Sequence, residues 1–343
     1  MRLTHGHNFD APIGYLNTAS IGIPPAFVAD ALSDSIARWR TGADTAPDFD
    51  AQVTRARAGF AALVGVPPGQ VASGASVSQL IALVAGSIPD GTRVLTLSDD
   101  FTSVTFPFAA QAHRGITVTE VEPDRLLSTV EHVDLVAVSL VQSATGFVLD
   151  ADALREATTA AGVPVLLDVS QAAGWMPLSL GWADWVVGAA YKWLLSPRGA
   201  AWLAVRPDAL ERTLPLAANW YAGEDPWASI YGLPLRLAND ARRLDLSPAW
   251  FAQVGAAAAI PWLAGLDLGA VRDHCVGLVD AVRGGLGLQG NGSAITSLEL
   301  TTEQIGQLRA AGVRFSVRAG RARLSFHLYN TAADVDLVLG ALT

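Results

Sequence analysis

Lysine is almost missing from this chain. Its 343 residues include 22 arginines and a single lysine, Lys192. Cysteine is equally scarce. Cys275 stands alone, which excludes an internal disulfide and any cysteine-based metal site. It lies in an amphipathic helical pattern, Val271 to Leu286, and is read as a buried structural thiol. Charged residues make up 16% of the chain, and the net charge of −9 argues against nucleic acid or anionic membrane as partner. The most apolar tract, Val254 to Gly265, is too short to span a bilayer and contains Pro261. The start, Met1 to His7, shows no signal-type apolar region, so a cytoplasmic protein is expected. No metalloprotease HExxH, Walker loop or nucleophile elbow occurs. Gly285 to Gly290 fits a dinucleotide-binding spacing, but it follows a helix rather than a strand and reads as a helix stop and turn.

GC-rich coding replaces surface lysine by arginine at no functional cost, which accounts for the arginines. It does not account for the position that resisted. Arginine stays protonated, whereas lysine can lose its proton, act as a nucleophile and form a Schiff base. Lys192 sits between apolar neighbours in Ala189-Ala190-Tyr191-Lys192-Trp193-Leu194 and is a candidate for amine chemistry.

The length calls for one large domain and a smaller one. A hydrophobic fraction of 51% leaves little spare polar surface, which favours an oligomer. Short β-branched runs at Arg93–Leu97, Ile116–Val121, Val133–Ser139, Val163–Leu167, Trp185–Gly188 and Ala200–Val205 read as strands. Helical patterns at Ser76–Ser87, Ser103–His113 and Ala151–Ala161 separate them. That alternation predicts an α/β fold with a mainly parallel sheet covered on both faces. Two helices between Ala26 and Val64 precede it. After Pro248 come two long helical patterns, then strand, helix, two strands and a final helix at Ala332 to Leu342, a smaller α+β domain. The expected division is an N-terminal arm over 1–15, a large domain over 16–247 and a small domain over 248–343.

Val165-Leu166-Leu167-Asp168 is an apolar run ending in a carboxylate, and ligands of open α/β sheets bind beyond such strand ends. Lys192 follows the next strand, so acid and amine reach one crevice. The pair suits pyridoxal phosphate: the amine holds the aldehyde, and the acid keeps the pyridine nitrogen protonated.

At these residues the chain resembles the class V aminotransferase family of fold-type I pyridoxal-phosphate enzymes, with its cysteine desulfurase, kynureninase and isopenicillin N epimerase-like branches. The likeness runs from about Tyr15 onward and is most specific in Leu167 to Gly174, Asp184, Tyr191 to Leu194 and Pro197-Arg198-Gly199. It implies Lys192 as the Schiff-base lysine, Asp168 on the pyridine nitrogen, and Gln171 near the ring hydroxyl. Ala75 and Ser76, opening a helix, match the phosphate-binding turn, and Tyr191 matches a phosphate-facing tyrosine. Where desulfurases carry a serine hydroxyl, this chain has Ala189. Phe101 is placed to stack on the cofactor, and Ser143 aligns with a polar residue near the ring hydroxyl. Ser247 matches a residue that completes the neighbouring subunit's phosphate site, which implies a homodimer. Arg323 matches the clamp for an amino acid's α-carboxylate, a task suited to the bidentate guanidinium. Asn17 matches a stretch lining the substrate mouth, and His327 is read as structural.

The likeness breaks at one point. Desulfurases carry a mobile cysteine shortly before the segment matching Arg323, and here Val317 to Ala322 is short and lacks cysteine. Persulfide-forming desulfuration is therefore not expected. The favoured reading is a lyase that cleaves a side-chain bond such as C–S after Lys192 deprotonates Cα. Transamination and epimerisation use the same deprotonation, and a non-catalytic cofactor-binding regulator is the alternative from another class. Asn219 to Tyr231 is rich in tryptophan and carries no readable motif.

Overall fold

The structure, a computed structural model, describes residues 2–342. It begins with a hairpin (β1, Arg2–Thr4; β2, His7–Phe9) and two helices (α1, Ala26–Arg40; α2, Asp50–Val64). The central region follows as β3 (Val71–Gly74), α3 (Val77–Ser87), β4 (Arg93–Leu97), α4 (Thr102–Ala109), β5 (Thr117–Val121), α5 (Leu126–Thr129), β6 (Leu135–Ser139), α6 (Ala151–Ala161), β7 (Val165–Asp168), β8 (Trp185–Ala189), β9 (Ala201–Val205) and α7 (Pro207–Arg212). Two long helices, α8 (Trp250–Ala264) and α9 (Leu268–Gly285), lead to β10 (Ile295–Leu298), α10 (Thr302–Ala310), β11 (Ser316–Arg318), β12 (Arg321–Ser325) and α11 (Ala332–Leu342).

Seven strands form the central sheet in the order β3-β9-β8-β7-β6-β4-β5. Strands β5, β4, β6, β7 and β8 are parallel, whereas β9 runs antiparallel to β8 and to β3. Every residue of β6, β7, β8 and β9 is buried, as expected of strands covered on both faces. Successive side chains alternate between two layers. Val136, Val138, Leu167 and Val186 pack with α2, α6 and α8, while Leu135, Ala137, Leu166 and Val187 pack with α3 and α4. Each fully buried Val or Leu contributes about 1.5–3 kcal/mol, so a carboxylate is tolerated only where a strand ends, as at Asp168.

The short antiparallel edge strand β3 was not among the expected strands. Its four residues include Ser73 and Gly74, too few and too polar to show a pattern. The helix expected from Ser103 to His113 closes early, at Ala109, and a 3-10 turn over Ala112–Arg114 follows. Helix α8 packs on α1 and α2, and its Ala256, Ile260 and Leu263 belong to the large-domain core. The separate core of the small domain instead gathers Val279, Leu298, Leu308, Leu324, Phe326 and Val338, from α9 onward. The first residues are pinned to that domain: Arg2 pairs with buried Asp334 at 2.6 Å. Residues 15–17 run along its three-stranded sheet, bridging Tyr15 to Arg314 and Asn17 to Ser325. Cys275 is fully buried in α9, as read from its pattern. The glycine-rich run after it is the helix stop: α9 ends at Gly285 and Leu288 N–H returns to Arg283 O at 2.8 Å. No single helix among the described residues is long and apolar enough to cross a membrane.

Candidate active site

A cavity of about 290 Å³ opens at the carboxyl edge of the sheet. It is lined by the start of α3 (Ala75 to Ser78), the start of α4 (Phe101 to Ser103), the end of β7 (Asp168, Ser170) and the β8–β9 connection (Ala189, Tyr191, Lys192, Arg198). Six of the residues singled out in the sequence therefore meet here: Ala75, Ser76, Phe101, Asp168, Tyr191 and Lys192.

Asp168 is the last residue of β7 and is buried; Ser170 N–H donates to its Oδ1 at 2.7 Å. Ala189 N–H in turn donates to Ser170 Oγ at 3.2 Å, tying the end of β7 to the end of β8. Burial pushes the Asp168 carboxyl up, opposed by hydrogen bonds from Ser170 and by the charge of Lys192. Lys192 is also buried. Desolvation lowers its amine to about 8, although Asp168 favours the charged form; Arg323, Arg198 and Arg318 lower it further. An amine near 8 is partly unprotonated at neutral pH and can act as nucleophile and base. Its Nζ lies 5.2 Å from the centre of the Phe101 ring and 5.6 Å from that of Tyr191.

The turn before α4 is fixed by Asp100, a residue the sequence reading passed over. Its Oδ2 accepts from Ser139 N–H at 2.7 Å, and its Oδ1 accepts from Phe101 N–H at 2.7 Å and from the Ser139 hydroxyl at 2.5 Å. That ties the Phe101 peptide to the end of β6. At α3, Ser76 is the N-cap and its Oγ accepts from Gln79 N–H. The remaining first-turn amides face the cavity end with the positive pole of the helix behind them.

Gln171, Ser143, Arg323 and Asn17 lie behind the cavity as one hydrogen-bonded network. Gln171 Nε2 donates to Ala19 O at 3.0 Å and to Ser143 Oγ at 3.1 Å, while its Oε1 accepts from Trp193 Nε1 at 2.7 Å. Both amide hydrogens of Gln171 are thus committed within the protein. Arg323 is only 2% exposed. Its Nη1 donates to Ser143 O and Oγ at 2.7 and 2.8 Å, and its Nη2 to Ser20 Oγ at 2.7 Å. Ser20 meets Ser316 Oγ at 2.8 Å, and Ser316 donates to Asn17 Oδ1 at 2.6 Å. Ser20 and Ser316 were not singled out in the sequence, and no spacing signal marks them. Burial lowers the Arg323 guanidinium to about 10, with Arg318 adding repulsion.

His327 is buried, and its Nε2 donates to Trp193 O at 3.0 Å, holding the peptide next to Lys192. Desolvation lowers it to about 3, so it is a neutral structural donor. Ser247 is exposed and lies outside the cavity, beyond the loop where Asp245 accepts from Ser73 N–H at 2.7 Å. Arg198 lines the cavity but received no role from the sequence, although it stands inside the Pro197-Arg198-Gly199 motif.

The donor set fits pyridoxal phosphate. A buried acid presents an oxygen to the cavity, one amine can condense with an aldehyde, an aromatic face covers the space, and a helix N-terminus closes one end. Comparison with known proteins agrees. Residues 25–290 match the family described as Aminotransferase class-V. The uncharacterized aminotransferase YcbU of Bacillus subtilis is 30% identical over 305 residues, covering 82% of this chain and 80% of that protein. The kynureninase of Deinococcus radiodurans is 30% identical over 296 residues, covering 79% and 71%. A solved complex of the cystine C–S lyase C-DES with cysteine persulfide superposes with a TM-score of 0.85 at 18% identity, covering 97% of each chain, and so shares the fold. This chain, with its buried acid and lone amine at one sheet edge, belongs to the class V aminotransferase family.

Proposed function

We propose that this pyridoxal-phosphate-dependent enzyme cleaves the side chain of a small amino acid at a bond such as C–S, with Lys192 as the base at Cα. Pyridoxal phosphate is the family's cofactor and supplies an electron sink for the carbanion left at Cα. The observation that carries the reading is Lys192 itself: the chain's one side-chain amine, buried beside Asp168 and held near pKa 8.

With the cofactor bound, Asp168 would hold the pyridine nitrogen and keep it protonated. Phe101 would cover the ring, and Tyr191 and the start of α3 would hold the phosphate. Ser143, oriented by Gln171, would donate to the ring oxygen. Arg323 receives the substrate carboxylate beside Asn17, which fixes the Cα–H bond relative to Nζ. Lys192 Nζ takes the Cα proton; the Cβ–S electron pair leaves with sulfur, a Cα=Cβ bond forms, and Nζ returns the proton to the thiolate. Among the cavity-lining residues Lys192 is the one amine, which favours a reaction with a single proton carrier over epimerisation by two opposed bases. The exposed Ser247 fits a role in a second copy's phosphate site, so a homodimer belongs to the proposal.

Transamination is the second reading, since it uses the same proton and the relative YcbU is described as an aminotransferase. A screen of amino acids separates the two. Release of pyruvate, ammonia and a thiol without added keto acid is expected; amino transfer that depends on a keto acid, with no such release, would overturn the lyase reading.

A further inference from the structure

The cavity has one cation that the chemistry above leaves unused. Arg198 lines it, in the same β8–β9 connection that carries Lys192. That connection is tightly held. Ala190 N–H donates to Ala200 O at 3.1 Å, and Ser196 N–H to Ala190 O at 3.3 Å. Pro197 abuts α8 so closely that a Cβ on Gly255 would stand 2.4 Å from its ring. Gly199 turns the chain with φ +117°, a conformation that other residues rarely adopt. Arg198 is therefore presented from a rigid hairpin. Its guanidinium lies 5.2 Å from the centre of the Tyr191 ring, whose position against Lys192 places it inside the same site. No carboxylate pairs with Arg198 among the described residues, and the lining contributes only one acid, Asp168, which faces Lys192.

We infer that Arg198 binds the phosphate group of pyridoxal phosphate, together with the amino end of α3 that lines the same cavity. The inference rests on the reading of the cavity as the cofactor site. Charge makes the need plain. A phosphate monoester carries about −1.5 to −2 charges near pH 7. The α3 terminus offers the equivalent of about +0.5. The hydroxyls of Ser76, Ser78, Thr102 and Ser103 add donors without charge, and Ala189 adds neither. Lys192 is committed to the aldehyde. Arg198 is the one full positive charge left on the lining, and its side chain is exposed. Arg198 also disfavours the protonated form of Lys192, which indicates that its charge is felt at the site.

The test compares pyridoxal phosphate with pyridoxal, which lacks the phosphate, on the full chain and on Arg198→Gln. Binding is followed by cofactor absorbance and by quenching of the protein's tryptophans. Arg198→Gln is expected to weaken pyridoxal phosphate by about ten- to a hundredfold, the value of a charge-assisted contact. Its affinity for pyridoxal should match that of the native chain. Arg198→Lys should recover part of the loss, and inorganic phosphate should compete less effectively in the glutamine variant. Unchanged affinity for pyridoxal phosphate would overturn the assignment. So would an equal loss for both compounds, which marks a folding defect, or a rise in substrate KM alone, which places Arg198 on the substrate. If the native chain binds neither compound, the cofactor site itself falls, and this inference with it.

Discussion

Arg323 and Gln171 meet on one atom: they donate to Ser143 Oγ at 2.8 and 3.1 Å. A hydroxyl has two acceptor lone pairs and one proton, so both lone pairs are taken and the proton is left to give. Ser143 thereby links the side chain proposed to hold the substrate carboxylate to the one that accepts from the indole of Trp193, the residue after Lys192. Replacing Ser143 by Ala leaves Arg323 Nη1 with the Ser143 carbonyl alone. We expect KM for the amino acid to rise about two- to tenfold, the value of one hydrogen bond that orients Arg323 without touching the substrate, with a smaller change in kcat. Arg323→Ala should raise KM by about tenfold or more. An amine analogue lacking the carboxylate should bind both variants as it binds the native enzyme; a matching loss for the analogue would show that Arg323 does not hold the carboxylate.

The depressed amine of Lys192 sets a pH dependence for cofactor capture. With its value at about 8, the unprotonated fraction is about a tenth at pH 7 and about half at pH 8. The rate at which an absorbance band near about 420 nm grows after pyridoxal phosphate is added should therefore climb between pH 7 and 9 and level off above. Asp168 favours the charged amine, so Asp168→Asn should shift this profile to lower pH while reducing turnover, because the pyridine nitrogen loses its counter-charge. A stopped-flow profile centred near 10 would show that Lys192 is not desolvated.

His327 carries a stability prediction. Its folded value is near 3, below the ordinary value of 6.5, so the unfolded chain binds a proton that the folded chain refuses between those values. The stabilisation is complete above pH 6.5 and is lost as pH falls toward 3, by up to about 1.4 kcal/mol per pH unit. A glutamine amide in its place would keep a donor for the Trp193 carbonyl without titrating, so His327→Gln should flatten the fall of Tm between pH 6.5 and 4. An unchanged slope in thermal melts would remove His327 as its source.

Gly22 lies where a Cβ would stand 2.0 Å from the carbonyl oxygen of Lys192, and its N–H donates to Tyr191 O at 3.0 Å. Backbone cannot yield as a flexible side chain does. Gly22→Ala should cost about 1–3 kcal/mol of stability and slow cofactor capture by displacing the Lys192 peptide. Native melting and capture rates in the variant would show that the two segments separate freely.

The strand-end acid and the lone lysine were legible because each is a departure from its surroundings. Asp168 closes an apolar run, and Lys192 stands among arginines. The sheet was legible for the same reason, its buried strands being uninterrupted apolar runs. What escaped lacks contrast. Strand β3 is four residues long with Gly74 inside it, and α8 is apolar on all sides, so its pattern does not say which layer receives it. Ser20 and Ser316 matter through contacts nearly 300 positions apart, to which local periodicity is blind. Arg198 was visible as a motif letter, but only its place on the cavity wall gave it a task.

Residues 15–22 make two attachments a few positions apart: Asn17 bridges to Ser325 in the small domain, and Gly22 is seated on the Lys192 carbonyl. The stretch from Asn17 to Gly22 can reach at most about 18 Å when fully drawn out. It acts as a short tether with little slack. Ser325 lies on the strand that carries Arg323. Any displacement of that strand is therefore passed, within a few residues, to the peptide that positions the amine. In the roles proposed for Arg323 and Lys192, grip and base are mechanically in series, and lengthening the segment that joins them by one or two residues is expected to uncouple substrate capture from proton removal.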